Sequence, residues 1–182
     1  METINNLYVV VTRAELPTTS KKRISLGSKI LCKAQIKAHV AMFPAKFAKQ
    51  LKQLKIGDRI VILQSGYALY RKTYGSVRLV AAGTVSQQVR EITTRDIFKN
   101  LELWMTNKKW YKDWPDVGEL SDQLIIKFNL KKAKKPLSPL IKPKGIIVNP
   151  KTILVELKPG SNEYEETNVW WEKVTGQWNY SI

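Results

Sequence analysis

The sequence has almost none of the residues that build cross-links and zinc sites. Its 182 residues contain one cysteine, Cys32, and one histidine, His39. A lone cysteine excludes an internal disulfide, and a single Cys/His pair excludes a Cys/His zinc cluster. Because 43% of the residues are hydrophobic, a chain of this length can bury a core without such cross-links. We therefore predict a single domain that needs no metal or cofactor and works in the reducing cytoplasm.

Long hydrophobic runs and nucleotide-binding motifs are also missing. No stretch approaches the roughly 20 apolar residues that cross a bilayer, and the first residues, METINNLYVVVTR, lack the basic region of a signal peptide. The phosphate-cradling patterns GxxxxGK[ST] and GxGxxG do not occur. We therefore expect a soluble protein with no membrane partner and no nucleotide-driven activity.

Acidic residues are scarce and unevenly placed. The chain has 31 Lys and Arg against 15 Asp and Glu, a formal net charge of +16. Residues 16–57 and 123–155 contain no acid, whereas the C-terminal region is acidic. Such segregation produces a basic face suited to phosphate neutralisation, and it predicts DNA or RNA as partner. A generally lysine-rich solvated surface is the alternative. The phosphate-binding residues predicted from these windows are Lys21, Lys22, Arg23, Lys131, Lys132, Lys134 and Lys135.

The hydrophobic pattern predicts mostly strands. Strands are expected at residues 7–12, 32–42, 59–63, 77–89, 123–130, 145–148 and 152–157, and Gly83 is expected at a bulge or close approach. Pro44 is predicted to open a helix that carries Phe47, Leu51 and Leu54 on one face, and a second helix is predicted at residues 96–101. The basic, proline-rich residues 131–144 are predicted to be a loop or tether. Strands and helices do not alternate, so the fold class is α+β: a small curved sheet or open barrel flanked by a few helices.

Signals for catalysis are weak. Glu156 and Lys158 have the strand-borne Glu-x-Lys form of metal-dependent nucleases, but such a site needs a second carboxylate, and the nearest upstream acid is Asp122. A plain strand explains the same residues. A Ser-His-acid triad would have to use His39, for which an ordinary surface position is the simpler interpretation. We predict a protein that is not an enzyme. A nuclease, or a basic protein that coats nucleic acid without reading it, stays as the alternative.

Aromatic residues are concentrated in one polar segment. Three of the six tryptophans lie at residues 104–114, WMTNKKWYKDW, among lysines and Asp113. Ring faces beside lysines suit stacking on a base together with phosphate neutralisation, so at least one ring is expected to be accessible. The alternative is that these rings fold back over an open barrel. Trp170, Trp171 and Trp178 are predicted to pack the C-terminus against the body.

The order of these elements resembles the EVE and YTH group of PUA-like domains. In that group a Gly-Asp turn enters a strand, a later strand carries a Gly-x-Val step, and an aromatic loop follows. Gly57-Asp58, Gly83-Thr84-Val85 and residues 104–114 match these features, and QLIIKFNL would be the next strand. The resemblance predicts a PUA-like domain at residues 1–140, with residues 141–182 as an extension packed on it. The insertion before Pro44 and residues 145–182 have no counterpart in the group.

The resemblance implies a pocket for a modified, for instance methylated, base that is flipped out of a nucleic acid strand. Some members are reading modules of modification-dependent restriction systems, and YTH members read methylated adenine in RNA. The resemblance therefore also implies further domains or subunits of a larger system. By position, it places Arg13 at the phosphate backbone. The implied base-binding residues are Trp104, Trp110, Tyr111 and Trp114, with Ser65 and Thr12 near the pocket mouth.

Overall fold

The computed structural model describes residues 5–12, 35–64, 67–68, 73–74, 78–92, 123–137 and 153–177. The strands in these residues are β1 (Leu7–Thr12), β2 (Val40–Pro44), β3 (Arg59–Gln64), β4 (Tyr67–Ala68), β5 (Thr73–Tyr74), β6 (Arg78–Ile92), β7 (Gln123–Leu137) and β8 (Leu154–Leu157). A 3₁₀ turn at Ala45–Phe47 runs into α1 (Ala48–Leu51), and α2 spans Asn162–Thr175. No helix in these residues is long and apolar enough to cross a membrane.

Six of the strands form one mixed sheet in the order β2-β7-β6-β3-β1-β8, and β4 pairs with β5 separately. In the main sheet, β1 and β3 run parallel, and the other described neighbours run antiparallel. The chain is thus a small α+β domain in which an open mixed sheet is flanked by a few helices. The predicted fold class is confirmed.

Both faces of the sheet carry a hydrophobic core. Because side chains alternate along a strand, β1 sends Tyr8 and Val10 to one face and Leu7, Val9 and Val11 to the other. The first face, called the α1 face below, packs against Phe47, Leu51 and Leu54. The second, called the α2 face, packs against Trp170 and Trp171. Burial of both tryptophans confirms that they pack the C-terminal region against the body; Trp178 lies outside the described residues.

Several predicted elements are confirmed at this level. The strands expected at residues 7–12, 59–63, 77–89 and 123–130 are present as β1, β3, β6 and the first half of β7. The expected apolar helix face is buried, but Pro44 ends β2 rather than opening the helix. The segments predicted at residues 96–101 and 145–148 lie outside the described residues.

The strand predicted at residues 32–42 is wrong in its described first part. Residues 35–38 form a helical turn, in which the neighbours Gln35 and Ile36 are both buried. His39 ends this turn with φ +57°, and β2 begins at Val40. Ala, Lys and Gln favour helix over strand, and here that local preference outweighs the alternating pattern.

The prediction that residues 131–144 form a loop or tether is also wrong in its described part. β7 continues through Leu137, because Lys131 and Lys132 pair with Ala82 and Ala81 of β6. Pro136 is tolerated since it lies in a bulge of the ladder, where no paired N–H is required.

Helix α2 was not predicted, although its end signals are visible in the sequence. The Ser161 hydroxyl accepts a hydrogen bond from the Tyr164 N–H at 3.2 Å, which caps the first turn. Gly176 ends the helix with φ +77°. Its buried residues are only Thr167, Trp170 and Trp171, so the sequence shows too narrow an apolar stripe to indicate a packed helix.

Candidate nucleic-acid interface

The basic end of β7 is a large bulge. Leu137 pairs with Leu79 and Lys132 with Ala81, so the single β6 residue Val80 lies opposite four β7 residues, 133–136. Ala133 is buried in the core of the α2 face and anchors the bulge. Lys134 and Lys135 are exposed on it. The β7 lysines, Lys131, Lys132, Lys134 and Lys135, are thus held on a sheet strand instead of a tether.

The two lysines that precede the bulge lie on opposite faces. Directly paired residues of an antiparallel ladder share a face. Lys132 is opposite Ala81, which belongs to the core of the α1 face, and Lys131 is opposite Ala82, which belongs to the core of the α2 face. Neighbouring lysines of the same charge are therefore separated by the strand pleat.

Lys131 has an internal role. Its ammonium Nζ donates a hydrogen bond to the Thr175 carbonyl oxygen in the last turn of α2, at 2.5 Å. A cation at a helix C-terminus interacts favourably with the helix dipole. All four lysines are exposed, but Lys132, Lys134 and Lys135 have no hydrogen bond or ion pair to any residue that the structure describes. These three lysines are the available charges of the β7 group.

The side of β7 opposite β6 is covered over only part of its length. β2 pairs with residues 123–127, and His39 extends this pairing further. The His39 carbonyl oxygen accepts a hydrogen bond from the Phe128 N–H at 2.8 Å, and its imidazole Nδ1 accepts one from the Leu130 N–H at 3.0 Å. A side-chain nitrogen thus replaces a backbone carbonyl in the ladder. Among the described residues, the pairing on this side ends where the β7 lysines begin.

Arg59, at the start of β3, is a basic residue of a different kind. Its guanidinium donates to the Asn5 carbonyl oxygen through Nε at 3.1 Å and Nη2 at 3.0 Å, and to the Tyr164 hydroxyl at 2.7 Å. Nη1 donates to Asn168 Oδ1, and the guanidinium lies 5.7 Å from the ring centres of Tyr164 and Trp171. Its donors are used to join β3 to α2 and the N-terminal segment.

The turn before β3 has the conformation that the sequence indicated. Gly57 has φ +92°, which favours glycine, and Asp58 Oδ2 accepts a hydrogen bond from the Lys55 N–H at 2.7 Å. The predicted Gly-Asp turn into the strand is confirmed. The Val85 N–H donates to the Asp58 carbonyl oxygen at 2.9 Å, so the turn is also tied to β6.

Gly83 lies at the close approach that the sequence predicted. A Cβ atom on this residue would lie 1.8 Å from the Asn129 carbonyl oxygen, which no side chain can occupy. The Gly83 carbonyl oxygen also accepts a hydrogen bond from Trp171 Nε1 at 2.8 Å. The missing side chain therefore permits β6 and β7 to meet, and the backbone at this position binds α2.

Tyr8 is the described group whose pKa shifts clearly. Burial raises the pKa of the Tyr8 phenol above its ordinary 10.0, and the hydrogen bond from Asn6 Nδ2 partly opposes that rise. The charges of Glu156 and Asp58 raise this pKa further. The phenol is thus held neutral in the core of the α1 face, where it has a structural role.

Of the predicted base-binding residues, Thr12 is the one that lies within the described part of the chain. Thr12 is the last residue of β1, and its backbone pairs with Gln64. The other predicted positions outside β7 lie outside the described residues, and their roles stay predictions; these are Arg13, Lys21, Lys22, Arg23, Ser65, Trp104, Trp110, Tyr111 and Trp114.

The residues of the nuclease alternative lie at the β8 edge. Glu156 is exposed and opposite Tyr8, and Lys158 is exposed just beyond the strand. The described residues contain no group of three or more His, Cys, Asp or Glu side chains that could hold a metal ion. β8 itself pairs with β1, so residues 154–157 complete the main sheet.

No protein-family model matches the sequence, and no curated protein matches it. Several solved structures are similar. The N-terminal domain of Staphylothermus marinus McrB is 14% identical with a TM-score of 0.51, and the match covers 91% of this chain and 94% of that domain. The ASCH protein of Zymomonas mobilis is 14% identical with a TM-score of 0.45, covering 90% of this chain and 92% of that one. Human THYN1, solved in complex with 5-methylcytosine-containing DNA, is 9% identical with a TM-score of 0.42, covering 93% and 98%. The likeness to the McrB domain shows that the two chains share a fold.

Proposed function

We propose that this chain is a nucleic-acid-binding module and that Lys132, Lys134 and Lys135 contact the phosphate backbone. The observation that carries the proposal is the basic end of β7, where Lys132 precedes the bulge, Lys134 and Lys135 lie on it, and all three are exposed without partners among the described residues. Lys131 is the informative contrast, because its ammonium is used by α2. Lysines that neutralise phosphates release condensed counterions, which supplies most of the non-specific affinity.

The same lysines could instead protect a strand edge, and an experiment can distinguish that role from phosphate binding. Charged residues on an open strand edge prevent edge-to-edge pairing with another chain. If that were their role, removing the charges would cause self-association and leave nucleic-acid binding unchanged. If they contact phosphate, removal weakens binding and the protein stays monomeric or keeps its assembly state.

At the finer level, we propose that the module reads a modified base flipped into an aromatic pocket formed by Trp104, Trp110, Tyr111 and Trp114, with Ser65 and Thr12 near its mouth. Flipping costs a few kcal/mol of unstacking, which stacking on a ring, worth about 1–3 kcal/mol per base, helps to offset. The support is the resemblance to EVE and YTH domains together with the shared fold. In this proposal the chain binds without catalysis and acts as the reading head of a larger system.

The first experiment measures binding to labelled DNA and RNA oligonucleotides by fluorescence anisotropy across a salt series. Two variants each lose two positive charges: Lys134→Gln/Lys135→Gln on the bulge, and the control Lys158→Gln/Lys173→Gln beyond β8 and on α2. We call the steepness with which log affinity falls as log salt rises the salt slope. Loss of two phosphate contacts lowers this steepness by about 1.4 for a single strand or 1.8 for a duplex. We expect this change for the bulge variant, alike for every sequence, and an unchanged slope for the control.

Two results would overturn the proposal that the chain binds nucleic acid through these lysines. One is salt-independent or undetectable binding by the wild-type chain. The other is equal slopes for the bulge and control variants. Incubation of the protein with the same oligonucleotides and magnesium or manganese tests catalysis. We expect the oligonucleotides to stay intact. Cleavage that disappears in Glu156→Gln would show that the chain is a nuclease and would overturn the proposal of a binding module.

A second experiment addresses the base pocket. Oligonucleotides that differ only in 5-methylcytosine or N6-methyladenine are titrated against wild type and against Trp104→Ala, Trp110→Ala and Trp114→Ala. We expect at least one variant to lose about 1–3 kcal/mol of binding, with a larger loss for the modified oligonucleotide. Equal affinity of the wild type for modified and plain oligonucleotides would refute base reading and leave the coarser proposal intact.

A further inference from the structure

A second set of lysines lies on the segment that joins β2 to β3. Lys46, Lys49, Lys52 and Lys55 recur every third residue, and all four are exposed. They are called the lysine ridge below. Residues 16–57 contain no acid, and the next carboxylate along the chain, that of Asp58, is buried and accepts a hydrogen bond from the Lys55 N–H.

Local structure places these lysines in a row. The segment begins with the 3₁₀ turn Ala45–Phe47 and continues as α1. Helical hydrogen bonds then extend it, from the Lys52 N–H to the Ala48 carbonyl oxygen at 3.0 Å and from the Leu54 N–H to the Leu51 carbonyl oxygen at 3.1 Å. With 3.0–3.6 residues per turn, a helical lysine three positions after another is displaced from it by no more than about 60° around the axis, so neighbouring lysines of the ridge lie beside one another.

The ridge is held firmly against the body. Phe47, Leu51 and Leu54 alternate with the lysines and are buried in the core of the α1 face. Gln50 Oε1 accepts a hydrogen bond from the Ile153 N–H at 3.2 Å, which ties the segment to the chain before β8. The backbone that carries the lysines is therefore ordered before any ligand binds.

The charges of the ridge are not neutralised within the described residues. Lys49, Lys52 and Lys55 form no ion pair there, and the Lys46 ammonium lies 5.2 Å from the ring centre of Phe47. Like charges three residues apart on a helical segment repel and destabilise it. An arrangement that is unfavourable in the free protein becomes favourable when a polyanion lies along it.

The dimensions of the ridge fit a nucleic acid strand. Lys55 is nine positions after Lys46, which at a helical rise of 1.5–2.0 Å per residue is about 14–18 Å. The ridge is therefore long enough to contact several successive phosphates of one strand. Lys132 lies on the same face of the sheet, whereas the acidic helix α2 covers the other face.

We propose that the lysine ridge is a second phosphate-binding surface, along which the sugar-phosphate backbone of the bound nucleic acid lies. The inference rests on the proposed function and adds a contact surface on a different segment. It also assigns the α1 face of the domain, and not the α2 face, to the nucleic acid.

The test uses the same salt series with the ridge variant Lys49→Gln/Lys52→Gln and the control Lys158→Gln/Lys173→Gln. We expect the ridge variant to lower the salt slope by about 1.4 for a single strand or 1.8 for a duplex. Combination with Lys134→Gln/Lys135→Gln should lower it by about twice as much, because separate contacts add. Lys49→Arg/Lys52→Arg keeps the charge and should keep the slope, and circular dichroism verifies that each variant is folded.

The outcomes separate this inference from the proposed function. If the wild type binds and the bulge variant loses slope, but the ridge variant matches the control, the ridge inference is wrong and the proposed function stands. If the wild type does not bind any oligonucleotide, both are wrong, and an acidic protein becomes the candidate for the basic surface. A loss of slope in the ridge variant that the arginine variant restores supports the ridge.

Discussion

Arg59 and the β7 lysines are both basic, yet they belong to two different kinds of region. Arg59 lies under α2, with its guanidinium bonded to Asn5, Tyr164 and Asn168. Lys134 and Lys135 stand on a bulge with no partner among the described residues. A positive charge therefore indicates a binding surface only when no other group of the folded chain uses it.

The two sides of the sheet repeat this contrast on a larger scale. Helix α2 brings Glu163, Glu165, Glu166 and Glu172 to one face, while the lysine ridge and Lys132 occupy the other. Lys131, the sequence neighbour of Lys132, belongs to the α2 face, where its ammonium donates a hydrogen bond to the last turn of α2. The formal charge of the chain is therefore distributed between structural and available groups in a way that can be tested residue by residue.

Among these variants, Gly83→Ala should lower the free energy of unfolding the most, through the α2 face. The added Cβ would collide with the backbone of Asn129, so β6 and β7 must separate, which displaces the residue-83 carbonyl oxygen that accepts the hydrogen bond from Trp171 Nε1. We expect a loss of about 3 kcal/mol or more in the free energy of unfolding, measured by urea denaturation. Gly160→Ala is the control: φ is +83° there but nothing lies within 4 Å of the new Cβ. Its loss should be about 1 kcal/mol, and equal losses would contradict the close approach.

Arg59→Ala should have the next largest effect on stability. It removes four hydrogen bonds and the contacts with two rings, and we expect a loss of about 2–3 kcal/mol. Arg59→Lys keeps the charge but not the planar fork, so it should recover only part of the loss. Oligonucleotide affinity of the folded variant should be unchanged. A variant that keeps its stability but loses binding would reverse the comparison and make Arg59 a ligand-binding residue.

Alkaline pH tests the burial of Tyr8 on the α1 side. Because folding raises the pKa of the phenol above its unfolded value of 10.0, folding favours the protonated form. This contribution is fully present below about pH 10 and is lost as the pH rises through the folded pKa. We expect the difference in unfolding free energy between wild type and Tyr8→Phe to shift in favour of the variant as the pH is raised from 9 to 12. A difference that does not change with pH would show that the phenol is not buried.

Lys131 and Lys132 allow the comparison to be sharpened at neighbouring positions. Lys131→Gln removes the cation at the end of α2 and should cost about 0.5 kcal/mol in stability. Lys132→Gln should leave stability unchanged and lower the salt slope of binding by about 0.7–0.9. Urea denaturation and anisotropy on the same two samples check both. Equal behaviour of the two variants would mean that the strand pleat does not separate their roles.

The smallest expected effect on stability belongs to Lys134→Gln/Lys135→Gln. Exposed side chains without partners contribute little, so the unfolding free energy should stay within about 0.5 kcal/mol of wild type. Analytical ultracentrifugation of the same variant tests edge protection. New self-association would indicate that these lysines shield β7 from edge pairing, in place of contacting phosphate.

Elements with a local sequence signal were predicted correctly. The apolar runs at residues 7–12 and 59–63 predicted β1 and β3, and the adjacent glycine and aspartate predicted the turn at Gly57-Asp58. Elements whose conformation depends on a distant strand were predicted wrongly. Residues 131–137 have the composition of a loop, but the facing β6 strand supplies hydrogen-bond partners that convert them into a bulged strand.

The candidate interface divides in the same way. The acid-free windows drew attention to the β7 lysines because net charge is a property of composition, and phosphate binding by these lysines stays a prediction. Lys131 lies on one face of the sheet and Lys132 on the other because of the register of β7 with β6. The local sequence of residues 131–137 does not reveal that register. The acceptor role of His39 Nδ1 likewise requires Leu130, which is 91 positions away.

The basic character of this protein, its main central strands and the glycines that its turns and close approaches require could all be predicted from the sequence. These depend on side-chain volume, charge and backbone preference over a few residues. Which positive charges are left available depends on the tertiary structure. Arg59 meets Asn168 across 109 positions and Lys131 meets Thr175 across 44, and both contacts form because strand pairing and the docking of α2 bring distant residues together. Whether a charge is satisfied depends on its neighbours in space, and these are fixed only when the chain has folded.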